Sequence, residues 1–251
     1  MPDAFPRQAP PAMARHRGPV FPRVLGAELY KMAVGPRFWF LLAVVSATLG
    51  VFSVLVSGTT GVQTAVIWAG MVGALLTGED YSHGSIVTTL SAVPGRARLL
   101  LAKMTASTLA VGCAAGCTLL LVQLIASPFI DAGLEPMAGP GVVAMICGTI
   151  TALVLSNLVG AGLGVLMRSA VRAVVMWSVF ILAIQPVGWL LFQSSMLLDY
   201  LPHSALTLLM GTEAMPSPGP LSQLWLRYLL AVSWTAPVVV LAFRRARTIA
   251  V

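Results

Sequence analysis

The sequence predicts an all-α membrane protein of six transmembrane helices, and three observations lead there. Of 251 residues, 58% are hydrophobic and only 9% are charged, against about a quarter charged in an ordinary soluble domain. The few charges are clustered: none occurs between Arg37 and Glu79, Lys103 and Asp131, Glu135 and Arg168, or Arg172 and Asp199. The Lys and Arg residues, finally, fall on alternate sides of the apolar runs.

A bilayer core about 30 Å thick takes about 20 apolar helical residues, so each uncharged gap holds at least one span. The first gap holds 41 residues, enough for two, with Ser57-Gly58-Thr59-Thr60-Gly61 as the break between them. A last apolar run, Leu224 to Phe243, precedes Arg244-Arg245. The expected spans are Phe38–Val56, Gly61–Leu76, Leu100–Ile125, Gly141–Met167, Ala173–Phe192 and Leu224–Phe243, making residues 38–243 one transmembrane domain. Helices suit a bilayer because their hydrogen bonds satisfy the backbone within each segment.

The sides can be checked by charge. Of the 15 Lys and Arg residues, 14 fall before span one, between spans two and three, between four and five, or after six. The opposite loops carry Asp131, Glu135, Asp199 and Glu213, with Arg227 at the rim of the sixth span. The positive-inside rule then places both termini in the cytoplasm and the chain in the inner cell membrane. The net charge of +7 is accounted for by topology. The bases are scattered over four segments without a stripe, so no nucleic-acid partner is expected. The first apolar run begins too late and runs too long for a cleaved signal peptide. Cys113, Cys117 and Cys147 fall inside spans, where a free thiol behaves as a small apolar group.

Residues 1–22, with six prolines and three arginines, read as a disordered cytoplasmic tail; residues 244–251 form a basic one. Over 23–37, Leu25, Leu29 and Met32 share a helical face, and Glu28 and Lys31 are spaced for an i,i+3 pair. The pattern predicts an amphipathic helix along the inner membrane surface; a plain extension of the first span fits the periodicity as well. In the next cytoplasmic segment, Glu79-Asp80 ends span two, Gly84 permits a turn, and Ser85 is placed to cap a short helix. Ile86, Leu90 and Val93 make one apolar stripe, and Pro94-Gly95 stops it. Such a helix is shaped either to press into another protein or to serve as a well-capped loop. Outside, Gln193 to Ser222 is too apolar for a free loop and too interrupted to span, which predicts a re-entrant or interfacial helical hairpin.

Gly112 with Gly116, and Gly160 with Gly164, are G-x-x-x-G pairs that let helices approach. Gln63, Gln123, Ser156, Asn157 and Gln185 are uncharged polar residues at membrane depth and candidates to line a substrate path. Interhelical hydrogen bonds are the commoner reason for such residues. No Asp, Glu, Lys or His lies near mid-span, which disfavours an ion-coupled carrier. Neither Lys31 nor Lys103 follows a glycine, so the phosphate loop G-x-x-x-x-G-K-[ST] is absent. His16, His83 and His203 are far apart in the sequence, and no catalytic or metal-binding spacing is found. An enzyme is not expected; any transport energy comes from a partner.

Four places carry a family resemblance: Ala27-Glu28-Leu29-Tyr30-Lys31-Met32 before the first span; Asp80-Tyr81-Ser82-His83-Gly84-Ser85-Ile86; Leu90 with Val93-Pro94-Gly95-Arg96, leading to Lys103; and Leu201-Pro202-His203-Ser204-Ala205. Together they resemble the permease subunits of type-2 ABC transporters, the six-helix exporters. Asp80 stands where that family usually has Glu, and Ser85 where it has Thr. The resemblance implies that Glu79, Asp80, Gly84, Ser85, Ile86, Leu90, Pro94 and Arg96 belong to a coupling segment that docks on a separate ATPase, which holds the ATP and Mg²⁺. It implies a second permease, identical or sister, across the substrate path. The expectation is an exporter of hydrophobic or amphipathic cargo such as a drug, peptide or lipid. The alternative is a non-transport immunity or assembly protein of similar topology.

Overall fold

The computed structural model describes residues 20–55, 58–82, 96–126, 140–184, 187, 190, 200–209 and 224–248. Among them every regular element is helical: α1 Val20–Val34, α2 Pro36–Leu55, α3 Gly58–Ser82, α4 Arg96–Ala126, α5 Pro140–Met167, α6 Ala170–Ser178, α7 Pro202–Leu208 and α8 Leu224–Thr248. A π-helical turn, Val179–Ala183, continues α6. Five of the expected spans are overlaid by α2, α3, α4, α5 and α8; of the expected Ala173–Phe192, α6 and its π turn reach Ala183 and most of the remainder lies outside the described residues, and α1 begins at Val20 rather than Arg23. The segments 1–19, 83–95 and 127–139 lie outside the described residues, as does most of the expected outer hairpin.

By length and composition, three helices can cross a membrane: Ala97–Val122, Val143–Met167 and Trp225–Thr248. A fourth results if the bent pair Phe21–Val34 and Pro36–Val51 counts as one span. The chain is therefore an all-helical protein with the apolar helices of a membrane protein. Over the described residues α6 and its π turn are shorter, and α3 mixes its apolar residues with glycines and carries Glu79-Asp80 in its last turn.

The bend between α1 and α2 is 80°. Its cause is local: Pro36 has no N–H to continue α1 and disfavours helical geometry at Gly35, yet suits the first turn of α2. The indole of Trp39 donates to the Ala33 carbonyl (2.7 Å), satisfying a terminal acceptor of α1.

The core is organised around α3, which packs most extensively on α5 and also on α2 and α6. Small residues let the two backbones nearly touch. A Cβ on Gly160 would lie 1.9 Å from the Gly70 carbonyl oxygen, and one on Gly73 would lie 2.1 Å from that of Asn157. Gly112 and Gly116 do not serve this purpose, since a Cβ there would meet side chains at 3.5 and 3.7 Å, ordinary contact. Trp177 of α6 is fully buried over Gly70 and donates to the Ile67 carbonyl (2.8 Å). At the α5–α6 turn Arg168 takes a left-handed φ of 49°. The Ala170 N–H there donates to Ser82 Oγ (3.1 Å), seating the turn on the end of α3. A second apolar cluster, Leu100, Met104, Ala161, Val165, Ala242 and Ala246, joins the start of α4 to the ends of α5 and α8. One end of the bundle, hereafter its base, thus gathers these ends.

α7 is the described part of the expected outer hairpin. It is largely buried, the Arg227 guanidinium donates to its Leu208 carbonyl (3.1 Å), and the Trp234 indole donates to the Tyr200 carbonyl (2.9 Å).

Candidate functional site

The base of the bundle holds a chain of alternating charges on four helices. α1 turns Val24, Glu28 and Met32 inward at every fourth residue, the spacing of one helical face. Leu29, which the periodicity groups with Leu25 and Met32, is exposed. A carboxylate on a buried face needs a partner, and Lys103 of α4 supplies it, its Nζ 3.7 Å from Glu28 Oε2. The same ammonium donates a short hydrogen bond to Asp80 Oδ2 at the end of α3. The other Asp80 oxygen accepts from Lys31 of α1 at 2.6 Å. Beside this chain, Arg37 of α2 pairs with Glu79 at 3.3 Å.

Burial grades these pairs. The side chains of Lys103 and Glu28 are 7% and 6% exposed, and that of Asp80 is 13%. In so enclosed a place each charge is tolerable only because its neighbour has the opposite sign. The Arg37–Glu79 pair is at the rim, with Arg37 75% exposed, where water screens it. Three acids and three bases line a cavity of about 180 Å³ between α1, α2, α3 and the start of α4. Glu28 Oε2 is enclosed and accepts no hydrogen bond among the described residues.

The resemblance implies that Glu79 and Asp80 belong to a segment that docks on a separate ATPase; within the chain both are engaged by bases of other helices. Lys31 is the observed partner of Asp80, while Arg23 is exposed and in none of the described ion pairs. The i,i+3 pairing of Glu28 with Lys31 is replaced by two contacts to other helices. Lys103 and Arg37 were missed as members. The signal for Lys103 was present: a lone base following Leu99-Leu100-Leu101-Ala102 requires an acid from elsewhere. Gly84, Ser85, Ile86, Leu90 and Pro94 lie outside the described residues, and Arg96 opens α4.

The polar residues at membrane depth divide. Ser156 Oγ donates to the Val66 carbonyl (2.5 Å) and Asn157 Nδ2 to Ser107 Oγ (3.0 Å), so both are buried in interhelical hydrogen bonds. Gln63 is exposed on α3, and Gln185 and the side chain of Gln123 are outside the described residues.

The cluster contains no nucleophile paired with a base, and among the described residues no group of three His, Cys, Asp or Glu is set to hold a metal ion. What it can do is hold helices together. Compared with known protein families and with curated proteins, the chain matches none.

Proposed function

We propose that this chain is the permease subunit of an ATP-driven exporter of the type-2 ABC kind, with six spans and both termini in the cytoplasm. A separate ATPase docks on the segment from Glu79 to Arg96, and two permeases flank a path for hydrophobic or amphipathic cargo. The observation that carries the reading is where the ion pairs lie. Asp80 lies in the last turn of α3 where that segment begins, Lys103 lies in the opening turns of α4 just after it, and the two are bonded to each other and to α1. A pull on the segment is therefore delivered to α1, α3 and α4 together. Because α3 packs so closely on α5, the pull reaches the middle of the bundle. ATP-driven closure of two ATPases would draw the docked segments inward and tilt α3 and α4, alternating the path between its two openings.

The test is purification of the chain from its own membrane under gentle extraction, with mass spectrometry of what accompanies it. A soluble subunit bearing a phosphate loop should co-purify, and it should be lost when Ile86 and Leu90 are both changed to Asp. Absence of any ATPase from the wild-type preparation would remove the energy source and favour an immunity or assembly role.

A further inference from the structure

The arginines at the base carry an inference independent of transport, resting only on the apolar helices being in a bilayer. We propose that the ends of α4, α5 and α8 form a binding site for the headgroup of an anionic phospholipid, of the phosphatidylglycerol class.

Charge comes first. The acids among the described residues are Glu28, Glu79 and Asp80, and each is paired with Lys103, Arg37 or Lys31. Arg98, Arg168, Arg244, Arg245 and Arg247 are exposed and in none of the described ion pairs. The positive-inside rule asks for bases on one side of a membrane, but it does not ask that they be gathered. Packing gathers them. Leu100, Val165 and Ala242 share one apolar cluster. Since α4 leaves the base while α5 and α8 run into it, Arg98, Arg168 and Arg245 all stand within about one helical turn of that cluster, on its base side.

The same three helices place the arginines at the membrane boundary. They are the ones long and apolar enough to cross, over Ala97–Val122, Val143–Met167 and Trp225–Thr248, and the arginines stand at the base end of each. Leu101 is one turn from Arg98, and Leu241 is one turn from Arg245, each on the same helical face. Both leucines are exposed, by 46% and 52%. An anion that meets these guanidinium groups therefore meets apolar side chains beside them, which suits a phosphate carrying acyl chains and not a free phosphate or a nucleic acid. Guanidinium forks bond phosphate oxygens in pairs. Arg98 adds an independent reason. It lies in the first turn of α4, which holds no acid, and there the helix dipole disfavours a base; a phosphate alongside offsets that conflict. A headgroup with its own ammonium cancels the phosphate charge, so the site selects the anionic lipid over zwitterionic ones.

The experiment is native mass spectrometry of the full-length protein, delipidated in detergent and offered equal amounts of phosphatidylglycerol, phosphatidylethanolamine and phosphatidylcholine. Each base near a headgroup contributes roughly fivefold, so the anionic lipid should be retained at least about tenfold over the other two. Changing both Arg98→Gln and Arg245→Gln, at exposed positions, should remove most of that preference. Arg15→Gln takes the same charge from the tail and should leave retention unchanged. Glycerol phosphate in excess should not displace the lipid. Equal retention of the three lipids by the wild-type chain would overturn the proposal without recourse to any variant, and would leave the arginines to an acidic protein surface. Displacement by glycerol phosphate would mean a site for soluble anions, and an equal loss in Arg15→Gln would mean attraction by diffuse charge. Either result, or a preference untouched by the double substitution, would overturn it as well.

Discussion

Lys103 stands between Glu28 and Asp80, and removing its ammonium would leave two enclosed carboxylates facing each other. Lys103→Met keeps the length of the side chain but not the charge. Breaking a buried pair this way costs about 3–5 kcal/mol, so the thermal midpoint in detergent should fall by many degrees. Arg37→Ala removes an ion pair too, but a solvated one worth about 0–1 kcal/mol, and its midpoint should barely move. Equal effects of the two would refute the grading by burial. His203 on α7 offers a second residue-scale test. Burial pushes its imidazole below the usual 6.5, and its Nδ1 accepts no hydrogen bond among the described residues. Its folded value being lowered, the unfolded chain binds the proton first as pH falls. The stability it contributes is whole above about 6.5 and is lost as pH falls through the lower folded value. The wild type should lose more melting temperature between neutral and acidic pH than His203→Leu does, and parallel curves would exclude this role.

At the scale of elements, the α3–α5 seam depends on backbone approach rather than on side chains that can move aside. Gly160→Ala puts a methyl against the Gly70 carbonyl and should destabilise by about 1–3 kcal/mol, the usual cost of overpacking. Gly112→Ala meets only ordinary contacts and should be neutral in the same unfolding assay. The two positions look alike in sequence, each opening a G-x-x-x-G pair, because spacing records a small residue and not what faces it. The matching residues of α3, Gly70, Ala74 and Gly78, were not singled out, since alanine is too common for such a stripe to stand out. The helices themselves were legible wherever charge was absent over about 20 residues. Apolar periodicity groups Leu25, Leu29 and Met32 on α1, whereas the face packed on the bundle is Val24, Glu28 and Met32, with Glu28 paired to Lys103, 75 positions later. Four of the six residues of the ion-pair cluster, Glu28, Lys31, Glu79 and Asp80, could be read from local motifs, and the long-range pairings could not.

For the whole molecule, the proposed six-span topology predicts which side each loop meets. With Cys113, Cys117 and Cys147 replaced, a cysteine at Arg15 or Arg247 should react with an impermeant thiol reagent only after the membrane is opened. One at Glu135 should react from outside on intact cells. Labelling of Arg15→Cys and Arg247→Cys from opposite faces would mean an odd number of crossings and would undo the six-span arrangement.

The ion pairs also set an order of assembly. Glu28 and Lys31 leave the ribosome well before Asp80 and Lys103, so α1 has no partners for its inward charges while α2 and α3 are being inserted. Until α4 is made and brings Lys103 to the base, Glu28 is better hydrated than buried. α1 is made first and seated last, and a nascent chain halted before Lys103 should keep α1 open to protease.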